Sequence, residues 1–180
     1  MKEMVSYDGL DFKLYISKSD IEEKVREIAL FLDVTLEGKD PVFLGVLKGC
    51  FVFMADLIRA CKVEAEVNFV KISSYQDTAS TGDLNIELNI EDSLRNRHIV
   101  IVEDIVDSGI TMAWLTNELA QLGVASITVV ALLLKPDAIQ HPVQIDKVGF
   151  EIPNDFVIGY GLDYNGKGRQ LEGIYRLEVR

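Results

Sequence analysis

The chain has 180 residues, 48% of them apolar and 26% charged, with a formal net charge of −11. That length buries a core of its own and sets a single domain, residues 1–180, as the expectation. The acidic balance excludes non-specific nucleic-acid binding, which needs a basic face, and an anionic substrate would need its cations concentrated in one cleft.

In chain order, the N-terminal MKEMVSYDGLDFK lacks the apolar h-region of a signal peptide. Ser19, with Glu22 three residues on, predicts a capping box. It opens an amphipathic helix carrying Ile21, Val25, Ile28, Ala29 and Leu32 on one stripe. Pro41 to Leu47 reads as a buried strand with Lys48-Gly49 as its terminal turn, and Phe51 to Ala60 as a helix. Cys50 and Cys61 flank that segment. At helical rise they stand roughly 16 Å apart, beyond disulfide reach, so reduced thiols in the cytoplasm are expected. Glu64 to Ser74 suits a strand. Residues 75–85, YQDTASTGDLN, are small and polar without periodicity and predict an exposed loop. Ile86 to Ile90 alternates as a short strand, and His98 to Val102 is the next buried one. Met112 to Leu122 reads as a helix stopped by Gly123, and Ser126 to Leu134 as a strand. Short strands at 148–150 and 156–158 lead into a glycine-rich loop from Gly159 to Leu171. No hydrophobic run approaches the roughly 18 residues of a membrane span. Strands alternating with helices imply a parallel sheet with right-handed crossovers. Ligands of such sheets sit beyond the carboxyl ends of the strands, the edge to which Lys48, Glu103, Asp104 and Lys135 all fall.

The segment 99–111, IVIVEDIVDSGIT, carries the most chemistry. Glu103 and Asp104 adjoin a fully apolar strand, where unpartnered carboxylates are costly. On a strand they point to opposite faces, so one or both must bend into the cleft. They read either as solvated strand-end acids or as hard oxygen donors for magnesium and sugar hydroxyls. Asp107, Ser108, Gly109, Ile110 and Thr111 form a small-residue turn at a helix N-terminus. That is a phosphate cradle, with Gly109 admitting close backbone approach, or else a plain N-cap turn.

The same segment resembles the phosphoribosyl-pyrophosphate (PRPP) motif of purine phosphoribosyltransferases: an apolar strand, two acids, two apolar residues, then Asp-Ser/Thr-Gly-x-Thr. Four further features resemble the 6-oxopurine branch. They are Leu47-Lys48-Gly49, Ser73-Ser74-Tyr75 followed by Ser80-Thr81-Gly82-Asp83, Leu133-Leu134-Lys135, and the run from Val148 through Phe156-Val157 and Asp163-Tyr164 to Arg169. The resemblance covers about residue 40 to the C-terminus. It implies an α/β fold of the type I phosphoribosyltransferase kind: a parallel-sheet core with helices on both faces and a small hood from about residues 1–15 and 150–180. It implies a flexible catalytic loop at about 74–85, containing Ser74 and Tyr75.

By that resemblance, residues 107–111 hold the 5-phosphate of the ribose, and Glu103 and Asp104 attend its hydroxyls and a magnesium ion. Asp107 is the general acid/base toward a purine ring nitrogen. Lys48, Gly49 and Arg169 meet pyrophosphate, and Asp163 holds a second magnesium. Lys135, a donor-only group, selects a 6-oxo base, with Phe156 stacking and Val157 and Asp163 beside the base edge. The implied reaction converts hypoxanthine, and guanine as well, with PRPP into the nucleoside monophosphate and pyrophosphate, in a homodimer or homotetramer with no nucleic-acid or membrane partner. The alternative is a non-catalytic regulator that senses PRPP or nucleotides on the same fold.

Overall fold

The computed structural model describes residues 2–74, 84–86 and 92–178. A first hairpin pairs β1 (Met4–Tyr7) with β2 (Leu10–Ile16). Its two-residue turn, Asp8-Gly9, has both φ angles positive, the backbone that matches the twist of a hairpin. Neither strand is among the elements expected from the sequence.

The helix α1 (Lys18–Thr35) follows. Its cap corrects the expectation: Ser17, not Ser19, is the N-cap, and Asp20, not Glu22, closes the capping box. Ser17-x-x-Asp20 and Ser19-x-x-Glu22 are overlapping signatures, and the earlier one wins because β2 ends at Ile16. The stripe Ile21, Val25, Ile28, Ala29 and Leu32 is buried as its spacing predicts.

β3 (Pro41–Leu47), α2 (Phe51–Ala60) and β4 (Glu66–Ser74) come next. β5 (Leu84–Ile86) pairs antiparallel with β4, so this strand starts inside the segment expected as loop. Tyr75 and Ser80 to Asp83 lie outside the described residues. β6 (His98–Val106), α3 (Ile110–Leu122), β7 (Ser126–Leu134) and β8 (Lys147–Glu151) complete the main sheet. Gly123, at φ +83, ends α3 as predicted. β9 (Val157–Ile158) and β10 (Ile174–Leu177) close the chain.

The main sheet runs β5-β4-β3-β6-β7-β8. Its five strands from β4 to β8 are parallel, so the expected fold class is what the chain adopts. Alternation sorts the buried side chains by face. Phe43, Val100, Val102 and Val130 pack with α1 and α2; Val42, Leu44, Ile99, Ile101 and Val129 pack with α3. The second sheet, β1-β2-β10-β9, draws on both the first and the last described strands around Phe12, Ile158 and Tyr175.

Candidate functional site

The sheet builds the site by letting two neighbours part. β3 pairs with β6 only as far as Gly45 and Val102. Beyond that point β3 continues against β4, through Val46 and Leu47, while β6 continues against β7 to Val106. The chain leaves β3 toward β4 and leaves β6 toward β7, so the parting strands mark the topological switch point, where ligands of open α/β sheets bind. A cleft of about 390 Å³ opens there.

Most of the residues singled out from sequence line this cleft: Lys48, Gly49, Glu103, Asp104, Asp107, Thr111, Lys135, Phe156, Val157, Asp163 and Arg169. They come from five separate stretches of chain. Ser108, Gly109 and Ile110 stand just behind, in the turn that joins β6 to α3. Ser74 ends β4, and nothing of its side chain is described. Leu47, quoted with Lys48-Gly49, faces the cleft as well, and so do four apolar residues not expected there: Val46, Ile72, Ile105 and Leu162. Strand alternation alone does not separate Val46, Ile72 and Ile105 from core positions, and Leu162 lies in a loop with no periodicity to read.

Glu103 and Asp104 are not at a strand end, because β6 runs on to Val106. Each is only 8% exposed. Alternation puts Asp104 on the α2 side with Val102 and Glu103 on the α3 side, yet their carboxyls reach each other at the cleft floor. Burial first, and then the Asp104 charge, hold Glu103 well above the usual carboxylate range. Burial also raises Asp104, against hydrogen bonds from Glu103 and the backbone and the charge of Arg169. One Glu103 oxygen, Oε2, is buried with no hydrogen-bond partner. Such an oxygen costs free energy until something polar or charged meets it. Gly49 sits directly on Asp104: a Cβ there would fall inside the Asp104 carboxyl. The peptide bond Leu47–Lys48 is cis.

The turn 107–111 does not behave as a plain N-cap. The cap position is Gly109, at φ +82, and no cap side chain bonds the leading N–H groups. Ser108 Oγ accepts only a long 3.4 Å bond from Ile110 N–H. Behind the turn, the N–H groups of Gln140 and His141 both donate to the Ser108 carbonyl at 3.0 Å. A Cβ on Gly109 would fall on the His141 carbonyl oxygen, so glycine is required for space as well as for its φ. The helix therefore presents unsatisfied N–H groups and the positive end of its dipole toward the cleft.

On the α3 side of the cleft, the Lys135 ammonium meets Asp107 Oδ2 at 2.8 Å. Lys135 is almost wholly buried while the Asp107 side chain is half exposed. Opposite, Asp163 Oδ1 pairs with Arg169 Nη2 at 2.6 Å, and Asp163 Oδ2 accepts the Gly166 N–H at 2.6 Å. The ring of Phe156, 46% exposed, stands edge-on to Tyr164 at 5.8 Å and tilted to Phe12 at 6.3 Å, which fixes its plane at the cleft mouth.

Among the described residues no group of three or more His, Cys, Asp or Glu converges as a closed metal cage. The donor set instead fits magnesium, which keeps several waters and takes one or two carboxylates together with substrate phosphate oxygens. Glu103 and Asp104 are such a pair. Asp163 stands apart from them, already engaged by Arg169. Cys50 and Cys61 are free; burial pushes the Cys50 thiol up and, with Asp33 adding to it, the Cys61 thiol to about 12. Neither is a nucleophile at neutral pH.

A family profile for the phosphoribosyl transferase domain matches residues 17–165. The chain belongs to that family. It is 40% identical over 163 residues to the hypoxanthine-guanine phosphoribosyltransferase of Bacillus subtilis, covering 90% of this chain and 91% of that one. Its fold superposes with a TM-score of 0.86 on the hypoxanthine phosphoribosyltransferase of Trypanosoma cruzi in complex with the product IMP, at 33% identity and 97% coverage of each chain. It is also 38% identical over 170 residues to the bifunctional protein TilS/HprT of Listeria innocua. There it covers 93% of its own length but spans only 26% of that relative. The B. subtilis and T. cruzi relatives carry hypoxanthine phosphoribosyltransferase or hypoxanthine-guanine phosphoribosyltransferase in their own names, so the resemblance to the 6-oxopurine branch holds.

Proposed function

We propose that this phosphoribosyltransferase moves the 5-phosphoribosyl group of PRPP onto hypoxanthine, and onto guanine, releasing the nucleoside monophosphate and pyrophosphate in purine salvage. The observation that carries the reading is the convergence at one switch-point cleft of an anion-ready helix N-terminus, a buried acid pair and a Lys135–Asp107 couple. The relatives named above and the IMP held by the T. cruzi enzyme point to the same chemistry.

In this mechanism the N–H groups at 109–111, with the Ser108 and Thr111 hydroxyls, take the 5-phosphate. The buried carboxyls of Glu103 and Asp104 receive the ribose hydroxyls. Glu103 and Asp104, with Asp163, would hold magnesium, which when bound would supply positive charge against the pyrophosphate. Lys48, the Gly49 N–H and Arg169 hold the leaving group. The purine slides against Phe156, with its edge at the Val157 and Asp163 backbone, and its 6-oxo oxygen draws the Lys135 ammonium. That draws Lys135 away from Asp107, which then accepts the proton of the reacting ring nitrogen and returns it in reverse. By the resemblance, Ser74 and Tyr75 would help to exclude water from the oxocarbenium-like transition state. We place this activity in the cytoplasm, where the two thiols stay reduced.

Steady-state assays of hypoxanthine, guanine and xanthine with PRPP and magnesium test the reading. Hypoxanthine turnover is expected, and its absence would sink it. Asp107→Asn should lower turnover by roughly 10²- to 10⁴-fold, the usual worth of a positioned acid/base, while PRPP binding survives. Lys135→Ala should raise the hypoxanthine KM by about tenfold or more with a smaller effect on PRPP, the expected loss of a charged hydrogen bond; equal effects on both would make Lys135 structural. We also propose self-association, as a homodimer or homotetramer, through the exposed apolar residues Phe51 and Ile58 on α2 and Val67 and Phe69 on β4.

A further inference from the structure

Arg169 lines the substrate cleft and also a second cavity, of about 560 Å³, on the far side of the glycine-rich loop. Phe51, Val52, Asp56, Tyr160 and Leu171 help to enclose that cavity. The loop that carries Arg169 therefore has open volume behind it. A chain segment rich in positive-φ glycines, here Gly159, Gly161, Gly166 and Gly168, has little intrinsic stiffness with which to resist falling back.

The loop is tied to α2 by one described side-chain bond. The Tyr160 hydroxyl donates to Asp56 Oδ2 at 2.6 Å, across 104 positions of sequence. Among the described hydrogen bonds it is the one that joins this loop to α2. Tyr160 is only 6% exposed and holds a left-handed backbone at φ +49, which a non-glycine residue keeps only when its surroundings fix it. The other Asp56 oxygen pairs with the exposed Arg59.

Gly161, the next residue, is where the loop touches the cleft. A Cβ on it would fall on the Gly49 carbonyl oxygen, so the two backbones meet directly. Arg169 Nη1 donates to the Gly161 carbonyl at 2.6 Å, and the Gly161 N–H donates back to the Arg169 carbonyl at 3.0 Å. Whatever shifts Tyr160 shifts Gly161, and with it both Arg169 and the seat on Lys48-Gly49.

We propose that the Tyr160–Asp56 hydrogen bond is a positioning device for the pyrophosphate end of the cleft, holding the glycine-rich loop forward so that Arg169 and Gly161 stay docked on Lys48-Gly49. The proposal rests on the reading above that Lys48, Gly49 and Arg169 receive pyrophosphate. Burial first, then the bond to Asp56, raise the Tyr160 hydroxyl above its ordinary range, so it keeps its proton and donates at every physiological pH. Neither residue touches the substrate cleft, so both act through Arg169 and Gly49.

The test is Tyr160→Phe, which removes one oxygen and keeps the ring. The KM for PRPP should rise roughly tenfold, which corresponds to about 1.4 kcal/mol, while the KM for hypoxanthine in the same variant stays within about twofold. Asp56→Ala should match it, and the double variant should be no worse than either single, as expected of two ends of one interaction. Arg59→Ala, which removes only an exposed pair, should leave both KM values unchanged. Calorimetry with magnesium pyrophosphate reads the same loss of affinity without turnover. An unshifted affinity, an equal rise in both KM values, or additive single effects would overturn the inference. If the wild type binds pyrophosphate in a Tyr160-dependent way but does not turn over hypoxanthine, the inference stands and the substrate assignment falls.

Discussion

At Gly49 the requirement for glycine is one of space. The Asp104 carboxyl occupies the volume a side chain would need, and Asp104 cannot retreat, because it is buried against the floor of the cleft beside Glu103. Gly49→Ala must therefore push the Lys48-Gly49 turn off its seat. Displacing catalytic groups by about an ångström costs on the order of 10²-fold, and a loss of that size in kcat/KM for PRPP is expected, with the far-ultraviolet circular dichroism spectrum kept. A variant with wild-type kcat/KM would show that the turn does not need to sit against Asp104. The chemistry-bearing side chains were legible one by one, because a carboxylate after an apolar strand, or a lysine after one, has few bland explanations. The relations between them were not. Sequence did not show that Lys135 is paired to Asp107, or that Asp163 is paired to Arg169, because each pair is closed by packing between separate strands and loops.

Elements tell a similar story. β3 and β7 were read to the residue, since a buried parallel strand is a bounded apolar run. β6 was cut four residues short because its two acids looked like an end; only the parted β3 explains how a strand carries buried carboxylates onward. The first hairpin was overlooked although Asp8-Gly9 is a strong turn signal, and β10 was overlooked because a four-residue strand reads only beside its partner. The start of α1 offers a direct check. Ser17→Ala should cost about 1 kcal/mol, the usual loss of an N-cap, whereas Ser19→Ala, at an exposed position inside the first turn, should cost far less. Urea unfolding midpoints of the two variants decide it, and a larger loss for Ser19→Ala would return the cap to Ser19.

For the whole molecule, the acidic surface and the apolar face of α2 and β4 pull in different directions. A net charge of −11 favours dispersal, yet Phe51, Ile58, Val67 and Phe69 remain partly exposed at neighbouring elements. If copies associate through this face, Ile58→Glu should convert the sedimenting species to the monomer mass while the melting temperature stays close to wild type. An unchanged sedimentation coefficient in a folded variant would remove α2 from the interface. No described helix is long and apolar enough to cross a membrane.

The smaller sheet places β2 between β1 and β10, with the Asp8 carboxylate holding Lys167 and Asn165 from the far end of the sequence. This sets an order on biosynthesis. A growing chain emerges N-terminus first, so the hairpin leaves the ribosome early and must wait, with the Phe12 face uncovered, until residues 156–177 arrive to cover it. The turn at 107–111, in contrast, is complete once α3 has folded and Gln140 and His141 have closed behind Ser108. A nascent chain thus gains the turn proposed to hold phosphate before it gains residues 156–157, and a chain that has emerged only as far as residue 150 would offer Lys135 to a base with neither Phe156 nor Val157 to receive it.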